Sequence, residues 1–334
     1  MEENYYINKN GVLKRKADTV YFIRKNEAGE IERRILPVEK IRAIFAYGRI
    51  SFTSGVVSQL AKTGVPIHFF NYYGFYESSL YPREKLLSGN TIINQAKCYL
   101  DSGERLALAK EFVRGSGENI VLNLQYYSRT GSNVEEELHG ISSDIERIEK
   151  AEDIPQLMSV EGSIWNKYYN GFNKFVPEKF RFDKRVRNPP DNMINCLISF
   201  GNSLLYSTVL TEIYNTQLNP TISYLHEPGE RRFSLSLDIS EVFKPIIASR
   251  IIFKLINKDM LGEDHFVKEL NSCLLNESGR RLFLQNYDEK LKTTIKHRDL
   301  GRNVSYQHLI QLECYKLIKH ILGVKKYKAL RMWW

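Results

Sequence analysis

Apolar and polar positions recur with a period of two over the first part of the chain and with a period near 3.6 over the rest. The segment YYINKNGVLKRKADTVYFIRKNEAGEIERRILPVEKIRAIFAYGRISFT alternates apolar and polar residues between turn signals at Asn10-Gly11, residues 26–29 and Gly48. Its β-branched and aromatic residues suit a pleated, half-buried surface. One short helix is predicted in TSGVVSQLAKTG, where Val56, Val57, Leu60 and Ala61 share a face and Gly64 ends the run. Residues 65–70 return to a strand, followed by an aromatic loop through Asn71, Tyr72, Tyr73 and Gly74.

From about Arg83 the period becomes helical. EKLLSGNTIINQAKCYL, ERLALAKEFVRG, ENIVLNLQYYSR and VEEELHGISSDIERIEKAE each carry apolar residues three or four apart. Gly103, Gly115, Gly117 and Gly131 fall at the joints and read as helix stops. Further helices are predicted over about 155–176, 191–214 (capped by Asp191), 239–258, 280–297 and 305–322. The pattern implies an α+β protein with a small N-terminal β domain containing one helix, residues 1–84, and a larger all-α domain, residues 85–334.

Composition narrows the function classes. The chain has 334 residues, 43 % of them hydrophobic, with 48 Lys plus Arg against 39 Asp plus Glu, a net charge of +9. That surplus favours a polyanionic partner, nucleic acid or an anionic membrane surface. No apolar run approaches the roughly 20 residues that span a bilayer, and MEENYYINKNG lacks the apolar core of a secretory signal. Cys98, Cys196, Cys273 and Cys314 are scattered, with neither a CxxC pair nor zinc spacing. They read as reduced core thiols of a cytoplasmic protein.

Ionisable residues interrupt the apolar pattern in three places. Glu161 lies on the stripe of Leu157, Ile164 and Tyr168, where a carboxylate is costly unless paired or metal-bound. A neighbouring cation such as Lys167 would also satisfy it. His226 sits between two turns, as a cap residue or as a neutral nitrogen ligand. Asp238 and Glu241 have the spacing of a capping box before an apolar run, which accounts for both without a metal. Pro245 should then kink the helix. Taken together, two glutamates, a histidine and a nearby aspartate form an oxygen-and-nitrogen donor set suited to manganese or magnesium.

Two stretches are basic and aromatic. GFNKFVPEKFRFDKRVRNPPD supplies Lys174, Lys179, Arg181, Lys184, Arg185 and Arg187, interleaved with four phenylalanines. Such cations beside a metal would position a phosphate backbone; alternatively the loop is solvated and its phenylalanines fill the core. The C-terminal YKLIKHILGVKKYKALRMWW is either a second such surface or a docking tail.

Over almost its whole length the chain resembles the CRISPR-associated adaptation integrases. The resemblance runs through ILPVEKIRAIFAYGRISFTSGVVSQLAKTGVPIHFFNYYG, SVEGSIWNKYY, RNPPDNMINCLISFGNSLLY and SYLHEPGERRFSLSLDISEVFKP. It implies metal ligation by Glu161, His226 and Glu241, with Asp238 at a neighbouring acidic position and Lys244 supplying a cation for phosphate charge. Glu241 stands where many members have aspartate, and Lys244 where arginine is more usual. The implied activity is that of a metal-dependent DNA endonuclease and integrase, which inserts short DNA fragments into a CRISPR array by attack of a 3′-hydroxyl on a phosphodiester. The implied assembly is a homodimer joined through its β domains, working with a small ferredoxin-like adaptation protein. Two rivals remain at this level: a non-catalytic DNA-binding scaffold whose acids merely cap helices, and a metallohydrolase of small phosphates.

Overall fold

In a computed structural model, the described residues are 2–26, 28–83, 86–187, 189–229 and 233–333. They form two compact units, Met1–Leu87 and Ser88–Trp334. The boundary expected between residues 84 and 85 lies outside the described residues, as do the arginines at 231 and 232 in the histidine-to-proline motif.

The first unit is strand-rich, as its alternation predicts. Its strands are β1 (Glu3–Ile7), β2 (Gly11–Lys16), β3 (Thr19–Lys25), β4 (Ile31–Leu36), β5 (Ile41–Ala46), β6 (Ile50–Phe52), β7 (Ile67–Phe70) and β8 (Tyr76–Leu80). They make two four-stranded sheets, β1-β5-β7-β8 and β4-β3-β2-β6. Helix α1 (Ser54–Thr63) ends at Gly64, whose φ of 78° is the left-handed conformation that glycine adopts without a Cβ clash. Ile7, Ile44 and Ile67 of one sheet, Leu13, Val20 and Leu36 of the other, and Val56 and Leu60 of α1 meet in one apolar cluster.

The second unit contains α2 (Gly89–Leu100), α3 (Ser102–Arg129), α4 (Glu135–Lys150), α5 (Ile154–Phe172), α6 (Met193–Tyr214), α7 (Ser234–Phe243), α8 (Arg250–Asn257), α9 (Glu277–Lys292) and α10 (Tyr306–Ile321). It is predominantly helical but not all-α. Two hairpins interrupt it, β9 (Phe266–Glu269) with β10 (Ser272–Leu275) and β11 (Thr294–Lys296) with β12 (Asn303–Ser305).

Four local expectations are overturned. Gly115 and Gly117 do not stop a helix, because α3 runs unbroken through both. A Cβ at Gly115 would meet that of Ala329 at 2.6 Å, and one at Gly117 would meet Ile145 at 3.0 Å, so these glycines permit close packing. The N-cap of α6 is Asn192, whose side chain accepts from the Asn195 amide, while Asp191 braces the Asn192 and Asn195 side chains. Helix α6 is also long and apolar enough to cross a membrane by length and composition, although 83 % of its most apolar window is buried inside the unit. Finally, α7 begins at Ser234, so Asp238 lies inside the helix and caps nothing.

Pro245 interrupts the helical run as its missing N–H requires. It opens a π-helical segment, Pro245–Ser249, in which the Ser249 amide donates to the Lys244 carbonyl at 2.9 Å. This widened turn joins α7 to α8 beside Glu241 and Lys244.

Candidate active site

Helix α5 carries Glu161. Asp153 starts the helix by accepting from the Gln156 amide at 2.8 Å, and Pro155 occupies the first turn, where no backbone donor is missed. Leu157, Val160, Ile164, Trp165, Tyr168 and Phe172 are buried along one stripe. Glu161 sits among them, half-buried. Lys167 does not neutralise it; that ammonium instead bonds to Asp144 and Ser163. Among the described residues nothing hydrogen-bonds the Glu161 carboxylate. Burial, and then the charge of Glu241, push its pKa up to about 7, against the pull of Lys244, His226 and Arg187.

Helix α7 carries the other two acids, turned to different tasks. Asp238 is fully buried. Its Oδ2 accepts the backbone N–H of Tyr224 at 2.6 Å and of Leu225 at 3.0 Å. Its Oδ1 accepts the backbone N–H of His226 at 3.0 Å and bonds to the ring Nδ1 at 2.9 Å. A carboxylate only accepts, so Nδ1 carries the proton and Nε2 is the remaining nitrogen. Burial disfavours charging His226, but the hydrogen bond and charge of Asp238, aided by Glu241, raise its pKa overall.

The loop that holds His226 is anchored on its other side. The Gln95 side chain exchanges hydrogen bonds with Asn219 and also donates to the Ile222 carbonyl. Arg105 bonds to the Tyr224 carbonyl at 3.0 Å and pairs with Glu227. The Ser223 hydroxyl donates to the His226 carbonyl at 2.6 Å.

Glu241 is buried and doubly held. Its Oε2 accepts the Trp165 Nε1–H at 3.0 Å, and its Oε1 pairs with the Lys244 ammonium one turn later. Lys244 also lies 5.5 Å from the centre of the Trp165 ring. Burial lowers the pKa of Lys244, but Glu241, then Tyr169 and Glu161, raise it overall. Glu161, His226, Glu241 and Lys244 therefore share one electrostatic neighbourhood, while Asp238 acts on it through His226. Among the described residues, no three of the His, Cys, Asp and Glu side chains stand together as a ready metal cluster. Both oxygens of Glu241 are engaged, one by an indole and one by an ammonium.

The family model described as CRISPR associated protein Cas1 matches residues 5–289. The chain belongs to the Cas1 family. It is 52 % identical to CRISPR-associated protein Cas1 1 of Methanobrevibacter ruminantium, over 100 % of this chain and 99 % of that relative. It is 51 % identical to a CRISPR-associated endonuclease Cas1 of Methanothermobacter thermautotrophicus, covering 99 % and 96 % of the two chains. The structure of a Cas1 protein from Thermotoga maritima superposes with a TM-score of 0.87 at 37 % identity, covering 98 % of this chain and 100 % of that one.

In this Cas1-family chain the basic stretch after α5 divides in two. Lys174 is paired with Glu137, Lys179 with Asp259 at 2.8 Å, and Arg185 is bonded to Ser199, Asn195 and the Val186 carbonyl. These three support the fold. Arg181, Lys184 and Arg187 are exposed cations outside any ion pair among the described residues, and the charge of Arg187 reaches Glu161. Phe172, Phe180 and Phe182 are buried, so this loop does plug the core. The C-terminal tail docks on α3, where Asn119 bonds to the Leu330 carbonyl and the Met332 amide. All four cysteines are free thiols, three of them buried.

Two further residues of the candidate site escape a reading of the sequence. Trp165 is four residues after Glu161 on the same stripe and appears as core, yet its indole holds Glu241. Tyr169, one helical turn on, is half-buried, 5.4 Å from Trp165 ring to ring. Burial raises its pKa, against Arg185 and Lys244. The only advance signal was an indole N–H within a buried stripe, since such a donor needs an acceptor.

Proposed function

We propose that this chain is a metal-dependent DNA endonuclease and integrase, acting on phosphodiesters in CRISPR adaptation. The observation that carries this reading is that Glu161, His226, Glu241 and Lys244, all partly or fully desolvated, lie within one another's electrostatic reach, with the exposed Arg187 also acting on Glu161. The donor set fits a hard divalent ion. Burial and then the nearby Glu241 carboxylate raise the pKa of Glu161, and the Lys244 ammonium on Glu241 already serves as a substitute cation. Glu161, Glu241 and Nε2 of His226 would hold manganese or magnesium. The chemistry supplied by a bound ion would be neutralisation of phosphate charge and a lowered pKa for the attacking hydroxyl.

The protein's own groups prepare that step. Asp238 fixes the His226 tautomer and ring plane, so that Nε2 presents its lone pair. Trp165 orients Glu241. Lys244, released from Glu241, would lie close enough to stabilise charge growing on the phosphate oxygens. In strand transfer a 3′-hydroxyl oxygen bonds to phosphorus, loses its proton, and the bond from phosphorus to the leaving 3′-oxygen breaks. With water as nucleophile the same displacement is hydrolysis. Arg181, Lys184 and Arg187 would contact the backbone without reading sequence.

The reading extends to a cytoplasmic homodimer that works with a small ferredoxin-like protein on double-stranded fragments, branched intermediates and the CRISPR repeat. The test is nicking and strand transfer in manganese by Glu161→Ala and His226→Ala. Loss of both activities with DNA affinity retained supports catalysis here. Retention of both activities would instead leave a DNA-binding scaffold.

A further inference from the structure

Two asparagines on α3 reach the end of the helix that carries Glu241 and Lys244. Asn119 and Asn123 lie about one turn apart, roughly 6 Å along the axis, and both are fully buried. The side-chain amide of Asn119 donates to the Val242 carbonyl, next to Glu241, at 3.0 Å. That of Asn123 donates to the Pro245 carbonyl, next to Lys244, at 2.7 Å and to the Tyr168 hydroxyl at 2.9 Å. Tyr168 belongs to α5 and follows Glu161 by two turns on the same buried stripe. Asn123 therefore joins three elements: α3, the helix of Glu161, and the π-helical turn after Lys244.

Pro245 creates the need for such donors. In an α-helix its carbonyl would take the Ser249 amide, but that amide goes to the Lys244 carbonyl instead. A buried carbonyl without a donor is costly, and Asn123 supplies the donor. A packing role alone would suit leucine better, since leucine has the same branching and no polar atoms to satisfy. Asn123 is a poor choice on that ground, because among the described residues no donor reaches its Oδ1.

The distance between Glu161 on α5 and Glu241 on α7 is a tertiary quantity that neither helix can set alone. Apolar contacts let helices slide by small amounts, whereas hydrogen bonds of 2.7–3.0 Å are directional and fix the register. We infer that Asn119 and Asn123 are positioning residues for the reaction proposed above: from α3 they set the place of Glu241 and Lys244 relative to Glu161. Asn119 extends the same brace to the C-terminal tail, since its amide also donates to the Leu330 carbonyl at 3.0 Å and its Oδ1 accepts the Met332 amide at 2.9 Å. The inference rests on the phosphodiester chemistry of the preceding proposal.

The decisive variant is Asn123→Leu, which keeps the shape of the side chain and removes its donors. In metal-free protein the Trp165 Nε1–H resonance, assigned by its absence from Trp165→Phe, should shift, because Glu241 moves against the indole that holds it. In manganese, kcat for nicking should fall about tenfold or more, with KM for DNA unchanged. Asn119→Leu should act in the same direction. Leu291→Ala, a fully buried site on α9, is the stability control: it should lower the melting temperature while keeping both the resonance and kcat. Folded Asn123→Leu protein with an unmoved Trp165 resonance and wild-type kcat would overturn the inference. So would a fall in kcat no larger than that of Leu291→Ala. Glu161→Ala separates the two proposals. Full activity in that variant would fault the catalytic reading, whereas an inactive Glu161→Ala beside a fully active Asn123→Leu would fault the positioning role alone.

Discussion

Asp238 and His226 are joined twice, since one oxygen of the aspartate accepts both the backbone N–H of the histidine at 3.0 Å and its ring Nδ1–H at 2.9 Å. The other oxygen takes two more amides of the same loop, at Tyr224 and Leu225. One buried side chain thus sets the path of residues 224–226 and the tautomer of the imidazole. The arrangement resembles the partner groups that orient metal-bound histidines, in which a carboxylate holds the ring nitrogen facing away from the metal.

Asp238→Asn should damage both functions. The amide keeps one oxygen and turns the other position into a donor facing donors. Stability in denaturant should fall by about 2–4 kcal/mol, the scale of losing charge-assisted hydrogen bonds in a buried site. The His226 midpoint, followed by NMR in metal-free protein, should move down, because Asp238 is what raises it against burial. An unmoved midpoint would mean that the pair does not govern the ring.

Trp165→Phe isolates the indole hydrogen bond. Phenylalanine fills most of the volume but leaves Oε2 of Glu241 without its donor, at an expected cost of about 1–3 kcal/mol. Manganese affinity by titration calorimetry should fall with it, since Glu241 becomes free to rotate. In the wild type, manganese should quench tryptophan fluorescence, because Trp165 bonds directly to a proposed ligand. Equal manganese affinity in the two proteins would remove Trp165 from the site.

These relationships were unequally legible in the sequence. Glu161 stood out because helical periodicity is local and a carboxylate on an apolar stripe breaks it. Lys244 and Glu241 are one turn apart and so share a face on any helix. His226 has no such local signature; its place between two turns left a cap residue and a ligand both readable, and the motif resemblance decided for the ligand. Asp238 was misread because an acid three residues before a glutamate looks the same whether it caps a helix or lies within one. What moves the start of α7 back to Ser234 is tertiary: the Ser234 hydroxyl bonds to Ser223 and the Thr221 carbonyl. The hairpins of the second unit were missed for a different reason. Their strands are three or four residues long, too short for alternation to register.

Gly115→Ala sets two effects against each other. Alanine is the better helix former by about 1 kcal/mol, which would stabilise a mid-helix position. The new Cβ would, however, lie 2.6 Å from that of Ala329, and neither atom can swing away. Overpacking of this kind costs about 1–3 kcal/mol, so the net change should be destabilising. The C-terminal tail should become sensitive to limited proteolysis as it lifts from α3. A variant more stable than wild type, with the tail still protected, would show that α3 and the tail are not in close contact.

His68 makes the first unit acid-sensitive. It is fully buried on β7, 2.7 Å from the Ser79 hydroxyl, and burial lowers its pKa to about 3. In the unfolded chain the imidazole titrates near 6.5. Between these values the unfolded form binds the proton and the folded form does not. Stability linked to His68 is therefore intact above pH 6.5 and declines as the pH falls toward about 3. At pH 4.5 the loss should be about 3 kcal/mol, two pH units at 1.36 kcal/mol each. Carboxylates titrate in the same range, so the measurement is a difference. His68→Gln cannot take up this proton, and its stability deficit relative to wild type should shrink by that amount between pH 7 and pH 4.5. A deficit that stays constant across the range would mean that the imidazole is not held neutral within the sheet.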